Sequence, residues 1–169
     1  MLRQEYAMTG TGPAVLSQTA IEDVPETEVI DTRFGKVTLY RKNPITFPNG
    51  VLGMPDKFQF CLTSFPSEKL SRFKLLQSIE DKELSFIMLP LEINNTMIDR
   101  EDIDQACKDL DMAPDNVALL LVVSVQREGN VVHMSVNTRA PVFMNVQRRL
   151  AAQYVFHNSK YQIRQAITL

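Results

Sequence analysis

At 169 residues, 44% of them apolar, the chain suits one domain with a substantial core, and it has no run of about eighteen apolar residues that would read as a membrane span. Its net charge of −2 gives no bulk attraction for nucleic acid or for a membrane surface. Two cysteines, Cys61 and Cys107, are too few for a disulfide framework and read as reduced and buried, as expected of a cytoplasmic protein.

Residues 1–30 are rich in Thr, Gly and Glu and have no sustained period, and Gly10, Gly12, Pro13 and Pro25 interrupt them. They read as a mobile N-terminal tail with at most one short ordered piece. Met1 to Ala20 lacks the continuous apolar stretch of a secretory signal. The folded domain is expected over residues 31–169. It opens at Asp31-Thr32-Arg33-Phe34-Gly35, and Val37 to Tyr40 follows as a β-rich run that Asn43-Pro44 breaks. Ile45-Thr46-Phe47 leads into a double turn, Phe47 to Asp56, with two Gly and two Pro between alternating apolar runs. Pro48 fixes its own φ, and Asn49-Gly50 tolerates positive φ. Phe58, Phe60 and Leu62 then alternate on one strand face.

A loop from Ser64 to Ser71, with Pro66, precedes a strand over Phe73 to Ile79. Glu80-Asp81-Lys82-Glu83 is an acidic turn, and Leu84 to Leu89 is a strand apolar on both faces that Pro90 ends. One helix is expected, from Arg100 to Asp111. Asp99 is its N-cap, Asp102 stands at the third helical position, and Ile98 with Ile103 forms a hydrophobic staple. Ile103, Ala106, Cys107 and Leu110 make one apolar stripe, and Pro114 stops the pattern. Val117 to Gln126 reads as a buried strand, Arg127 to Asn130 as a hairpin turn, and Val131 to Asn137 as the returning strand. After the bend Asn137 to Pro141 come a strand over Val142 to Val146 and a segment Arg149 to Phe156 that reads as strand or helix. Tyr161 to Ile167 closes the chain as an edge strand. Turn signals every 8–12 residues fit an antiparallel barrel or sandwich.

No phosphate-binding glycine loop occurs, and His133 and His157 stand outside any metal-ligand spacing. Cys107 lies on the apolar stripe of the helix, so it reads as packing. No nucleophile–base pair supports a hydrolase, and no catalytic residue, metal or cofactor is expected. The charge is uneven. Asp99 to Asp115 holds seven acidic and two basic residues, a net of −5, whereas Asn137 to Leu169 holds five basic residues and no acidic one. Basic residues interleaved with Tyr154, Phe156 and Tyr161 make a β-barrel that binds nucleic acid the alternative reading, although alternation points those rings inward.

Several blocks in one order carry a family resemblance. These are Thr32-Arg33-Phe34-Gly35, the run from Ile45 to Met54, Leu76-Gln77-Ser78-Ile79 with Leu84-Ser85-Phe86, the run from Val136 to Val142, and Gln153-Tyr154. Together they resemble the flagellar assembly factor FliW family over residues 31–169. Met54 stands where that family usually has Phe, Thr138 where it usually has Leu, and the 30-residue N-terminal extension is unusual. The resemblance implies a mainly β fold, a small antiparallel β-barrel-like domain with one principal α-helix, and no enzymatic activity. It implies a cytoplasmic chaperone-like module of flagellum biogenesis that binds flagellin. It also implies antagonism of the translational regulator CsrA, without direct contact to nucleic acid or membrane. The residues placed at the partner surface are Phe47, Asn49, Met54, Gln77, Ser78, Glu80, Asp81, Glu83, Asn137 and Arg139, with the acidic helix and acidic turn facing a basic partner. Gly50 and Gly53 are read as geometric.

Overall fold

The computed structural model describes residues 26–168, apart from residue 93. The described residues form eleven strands, one α-helix and two 3-10 turns. The hairpin β1 (Thr27–Thr32) and β2 (Gly35–Tyr40) pairs antiparallel in its own two-stranded sheet. The other nine strands are β3 (Ile45–Thr46), β4 (Gln59–Ser64), β5 (Lys74–Ser78), β6 (Ser85–Leu91), β7 (Val117–Glu128), β8 (Val131–Val136), β9 (Val142–Asn145), β10 (Leu150–Gln153) and β11 (Gln165–Ile167). They follow the order β11-β8-β7-β6-β5-β4-β3-β10-β9, and β9 pairs back onto β7.

That last pairing curls the sheet into a barrel-like ring. The strand β7 makes it possible because it is long enough to serve two partners on one edge. Its first residues, Val117 to Leu120, pair with β9, and Val123 to Glu128 pair with β8. The ring is antiparallel except at β3 and β10, which run parallel and meet at Thr46 and Leu150. The segment that sequence left open between strand and helix is the strand β10.

The alternation of side chains assigns two faces. Ile45, Phe47, Phe60, Leu76, Met88, Leu120, Val142 and Met144 fill the inside of the ring. On the outside, the hairpin β1–β2 lays Ile30, Val37 and Leu39 over Cys61 and Leu75. The helix α1 (Arg100–Asp109) lays Ile103, Ala106 and Cys107 over Leu89, Leu119, Leu121 and Phe143. Both cysteines are therefore free thiols under these outer covers, and burial pushes each thiol's pKa up.

Two expectations are corrected, and the end of the helix is placed. The ordered chain begins before Asp31: Thr27 to Ile30 belong to β1, and Ile30 is buried, while residues 1–25 lie outside the described residues. The strand β6 runs through Pro90 to Leu91. Its pairing with β5 ends at Met88, so Pro90 stands where one edge has no ladder to lose. The helix ends at Asp109 rather than Asp111. Asp111 takes φ 53°, its N–H donates to the Lys108 carbonyl, and the Met112 N–H donates to the Cys107 carbonyl. This is a Schellman stop with Asp in the left-handed position, so the helix ends before Pro114 can act.

The position of β1 predicts a truncation effect. A chain starting at Asp31 loses Ile30, four register pairs with β2 and the Glu28–Arg41 ion pair. Losing one buried Ile alone costs about 2 kcal/mol, readable as a lower urea midpoint. Among the described residues no helix is long and apolar enough to cross a membrane.

Candidate functional site

The double turn is a pair of tight reversals. The Gly50 N–H donates to the Phe47 carbonyl at 2.9 Å, and Val51 and Met54 exchange backbone hydrogen bonds at 3.2 and 2.7 Å. Gly50 takes φ 69°, and a Cβ there would lie 2.5 Å from the Met54 carbonyl oxygen, so no other residue fits. This packing sends Phe47 and Val51 into the ring and leaves Asn49 and Leu52 outside, with Leu52 54% exposed.

Blocks far apart in sequence meet here. The Leu52 N–H donates to Gln153 Oε1 at 3.2 Å, and Gln153 Nε2 donates to the Ala140 carbonyl at 2.9 Å. Gln153 therefore ties the double turn to the bend at Asn137 to Pro141. On the other side the acidic turn abuts the strand that follows the double turn. Glu80 Oε2 accepts the N–H groups of Phe58 and Gln59, and Lys57 Nζ lies 3.9 Å from Asp56 and 4.0 Å from Asp81. Leu52 is exposed on the Gln153 side, and Phe58 is exposed on the side of the acidic turn, where Lys57 stands between Asp56 and Asp81.

Four of the expected contact residues are buried or engaged within the chain. Phe47 is 1% exposed and packs edge-on against Phe60. Gln77 is fully buried, with Nε2 within 2.9–3.1 Å of the carbonyl oxygens of Ser78, Asp81, Lys82 and Leu84. Two amide hydrogens thus serve four acceptors, and the nitrogen must face the loop because an oxygen there would meet only acceptors. Gln77 Oε1 has no hydrogen-bond partner among the described residues. Ser78, 1% exposed, accepts the N–H groups of Glu80 and Asp81 on Oγ. Glu80 uses its carboxylate to hold β4, as above. Gln77 and Ser78 shape the acidic turn from beneath, and Glu80 ties it to β4.

The bend is engaged in the same way. Asn137 Oδ1 accepts the Ala140 N–H, Arg139 Nε donates to the Tyr161 carbonyl, and buried Thr138 exchanges hydrogen bonds with Gln162. Thr138 and Arg139 thus dock the C-terminal segment, and Asn137 holds the bend itself. Met54 is half-buried. Asn49, Asp81 and Glu83 remain at the surface, with Asp81 Oδ1 accepting the Glu83 N–H.

The acidic helix also faces inward more than its sequence suggests. Asp99 makes no side-chain cap; its carboxylate meets Lys160 Nζ at 2.6 Å. The Tyr161 hydroxyl accepts the Asp99 N–H and donates to Asp102 at 2.5 Å, and the Tyr154 hydroxyl donates to Asp109. The Tyr161 hydrogen bond holds the Asp102 carboxyl below its usual range. Burial, with Asp102 beside it, pushes the Tyr161 phenol up to about 12. Arg100 pairs with Asp104 at 2.9 Å. Sequence reasoning missed this clamp, although the opposed charges of residues 99–115 and 137–169 were its signal. The rings of Phe143, Tyr154, Phe156 and Tyr161 stack in sequence beside the helix, which removes the stacking surface that the nucleic-acid alternative required. His133 and His157 are exposed, and among the described residues no group of three or more His, Cys, Asp or Glu is placed to hold a metal ion.

Residues 28–167 match the family model described as FliW protein. The flagellar assembly factor FliW of Natranaerobius thermophilus is 32% identical over 136 residues, covering 79% of this chain and 87% of its own. That of Geobacter sulfurreducens is 30% identical over 137 residues, covering 79% and 81%. A crystal structure of the flagellar assembly factor FliW superposes with a TM-score of 0.59 at 23% identity, covering 82% of this chain and 96% of that one.

Proposed function

The chain belongs to the FliW family, and on that premise we propose that it is a cytoplasmic, non-catalytic flagellar assembly factor that binds flagellin and antagonises CsrA. Flagellin and CsrA enter through the family resemblance. The observation that carries a binding role is the surface of the double turn and the acidic turn. Phe58 stands exposed beside Asp56 and is held through its N–H by Glu80, whose turn also carries Asp81 and Glu83 and rests on the buried Gln77 and Ser78, while Leu52 stands exposed on the double turn, tied to Gln153. A rigid turn that presents apolar side chains within an acidic rim suits a protein partner with a basic surface, which an RNA-binding regulator has. Such a rim speeds encounter and opposes RNA in the complex, while the apolar centre holds it.

Surface plasmon resonance against purified flagellin and CsrA at two salt concentrations tests the reading. Asp56→Lys with Glu83→Lys reverses charge at two exposed residues whose carboxylates hold no backbone group among the described hydrogen bonds. The pair should slow CsrA association several-fold at low salt, with a smaller effect at high salt and an unchanged melting temperature. Wild-type binding to neither protein overturns the reading. An on-rate indifferent to both salt and charge reversal removes its electrostatic part.

A further inference from the structure

Two covers lie on the outside of the ring, and a gap remains between them. The hairpin β1–β2 covers β4 and β5, and α1 covers the half of β7 that carries Leu119 and Leu121. The same face of β7 continues through Val123, still 7% exposed, to Val125, which stands open. Their neighbours in register are Ile87 on β6 and Met134 on β8, and Val132 extends the face. These side chains, with Phe73, floor an open groove of about 560 Å³, in which Val125 and Val132 are 49% and 45% exposed. Phe34, Phe65 and Leu70 wall it, and Arg33 stands at its rim, the one charged residue of the lining among the described residues.

We propose that this groove docks an amphipathic α-helix of a partner protein, seated by apolar side chains and by an acidic residue paired with Arg33. The proposal rests on the reading of the chain as a protein-binding factor. Three observations select a helix. The floor spans β6, β7 and β8, two strand spacings or about 10 Å, which matches a helix with its side chains. The floor is the uncovered continuation of a sheet face that this chain already covers with a helix, so an added helix would extend the layer of α1. The charge is complementary: among the described residues no acidic side chain lines the groove, and Arg33 is pre-positioned, with Nη2 donating to the Ser85 carbonyl at 3.3 Å and its guanidinium 4.7 Å from the Phe34 ring centre. Its remaining N–H groups match a carboxylate on the polar edge of a helix. A second copy fits poorly, because a two-fold contact sets groove against groove and Arg33 near Arg33.

The test uses fluorescein-labelled helical peptides and fluorescence anisotropy with the full chain. One peptide has Leu at i, i+3, i+4 and i+7 and Glu on the adjoining edge. A second has the same composition scrambled, and a third has Lys in place of Glu. The first should bind saturably and gain helical circular dichroism, the scrambled peptide should not bind, and the Lys peptide should bind about tenfold more weakly, the size of one charge-assisted contact. Val125→Glu with Val132→Glu, both at exposed positions, should abolish binding with the melting temperature unchanged. Arg33→Glu should exchange the preference between the Glu and Lys peptides, a readout that needs only a folded chain. No binding of the first peptide, equal binding of the scrambled one, indifference to the Val variants or to Arg33→Glu, or concentration-dependent self-association that the Val variants abolish would each overturn the proposal. Flagellin binding that survives the Val variants would overturn the groove as its docking site and leave the assembly-factor reading standing.

Discussion

Gln77→Leu should lower stability by about 3 kcal/mol in urea unfolding, a large change for a residue that sequence placed at the partner surface. The amide nitrogen lies within 2.9–3.1 Å of four carbonyl oxygens of the acidic turn and its flanks, in a fully buried site. A leucine of similar length fills the space but donates nothing, and each buried carbonyl left without a donor costs about 1–3 kcal/mol. Two of those carbonyls keep a backbone partner at best, since the Leu84 carbonyl also accepts the Ser78 N–H and the Asp81 carbonyl the Leu84 N–H. That partial compensation keeps the total near the cost of one or two orphans. Gln77→Glu should do at least as much harm at neutral pH, because it turns an acceptor towards four acceptors. Partner affinity, measured on the fraction that stays folded at low temperature, should fall only as far as the turn deforms. An affinity loss with the urea midpoint unchanged would return Gln77 to the contact surface.

Legibility followed the range of the interactions. Periodicity and turn chemistry are local, so the helix start at Arg100, the hairpin at Gly129 and the alternation from Val117 onward could all be read from neighbours in sequence. Closure of the ring could not, because it depends on β7 being shared between β8 and β9, a matter of length and register rather than composition. Pro90 was misread for a related reason: its effect depends on whether a neighbouring strand needs its N–H, and the pairing of β6 with β5 stops at Met88. The site followed the same rule. Gln77 and Ser78 look like surface residues beside an acidic run until the turn folds back over them. Asp99 looks like a cap until Lys160, 61 positions later, takes its carboxylate. Ile30 was lost to the tail because Thr27 to Ile30 is ordered by pairing with β2, which the composition of the segment does not disclose. The groove at Arg33 draws on β6, β7, β8 and two loops, so no stretch of sequence contains it.

Tyr161→Phe should cost about 2 kcal/mol near neutral pH, and the cost should shrink at both ends of the pH scale. The hydroxyl is held by two partners at the start of the helix: it donates to the Asp102 carboxylate and accepts the Asp99 N–H. A hydrogen bond to a charged group contributes about 1.5–3 kcal/mol, and the ring itself, 4% exposed and packed on Phe156, stays in place in the variant. The sign on the acid side follows from Asp102, whose pKa is held below the ordinary 3.8 by the Tyr161 hydrogen bond first and by Lys160 beside it. That contribution is complete above about 3.8 and is lost as pH falls through the lowered value. On the alkaline side the phenol is raised from 10.0 to about 12, so its contribution is complete below about 10 and is lost as pH rises through about 12. Urea midpoints of wild type and Tyr161→Phe from pH 2.5 to 11 should therefore differ most between about pH 5 and 9. A constant difference across that range would assign the effect to packing and not to the clamp. The outcome also bears on the binding surface. Asp99 and Asp102 face the C-terminal segment, so their substitution should move stability first, whereas Asp56 and Glu83 face solvent and should move association first. If Tyr161→Phe slowed binding to CsrA with no loss of stability, the helix acids would belong to the partner surface after all.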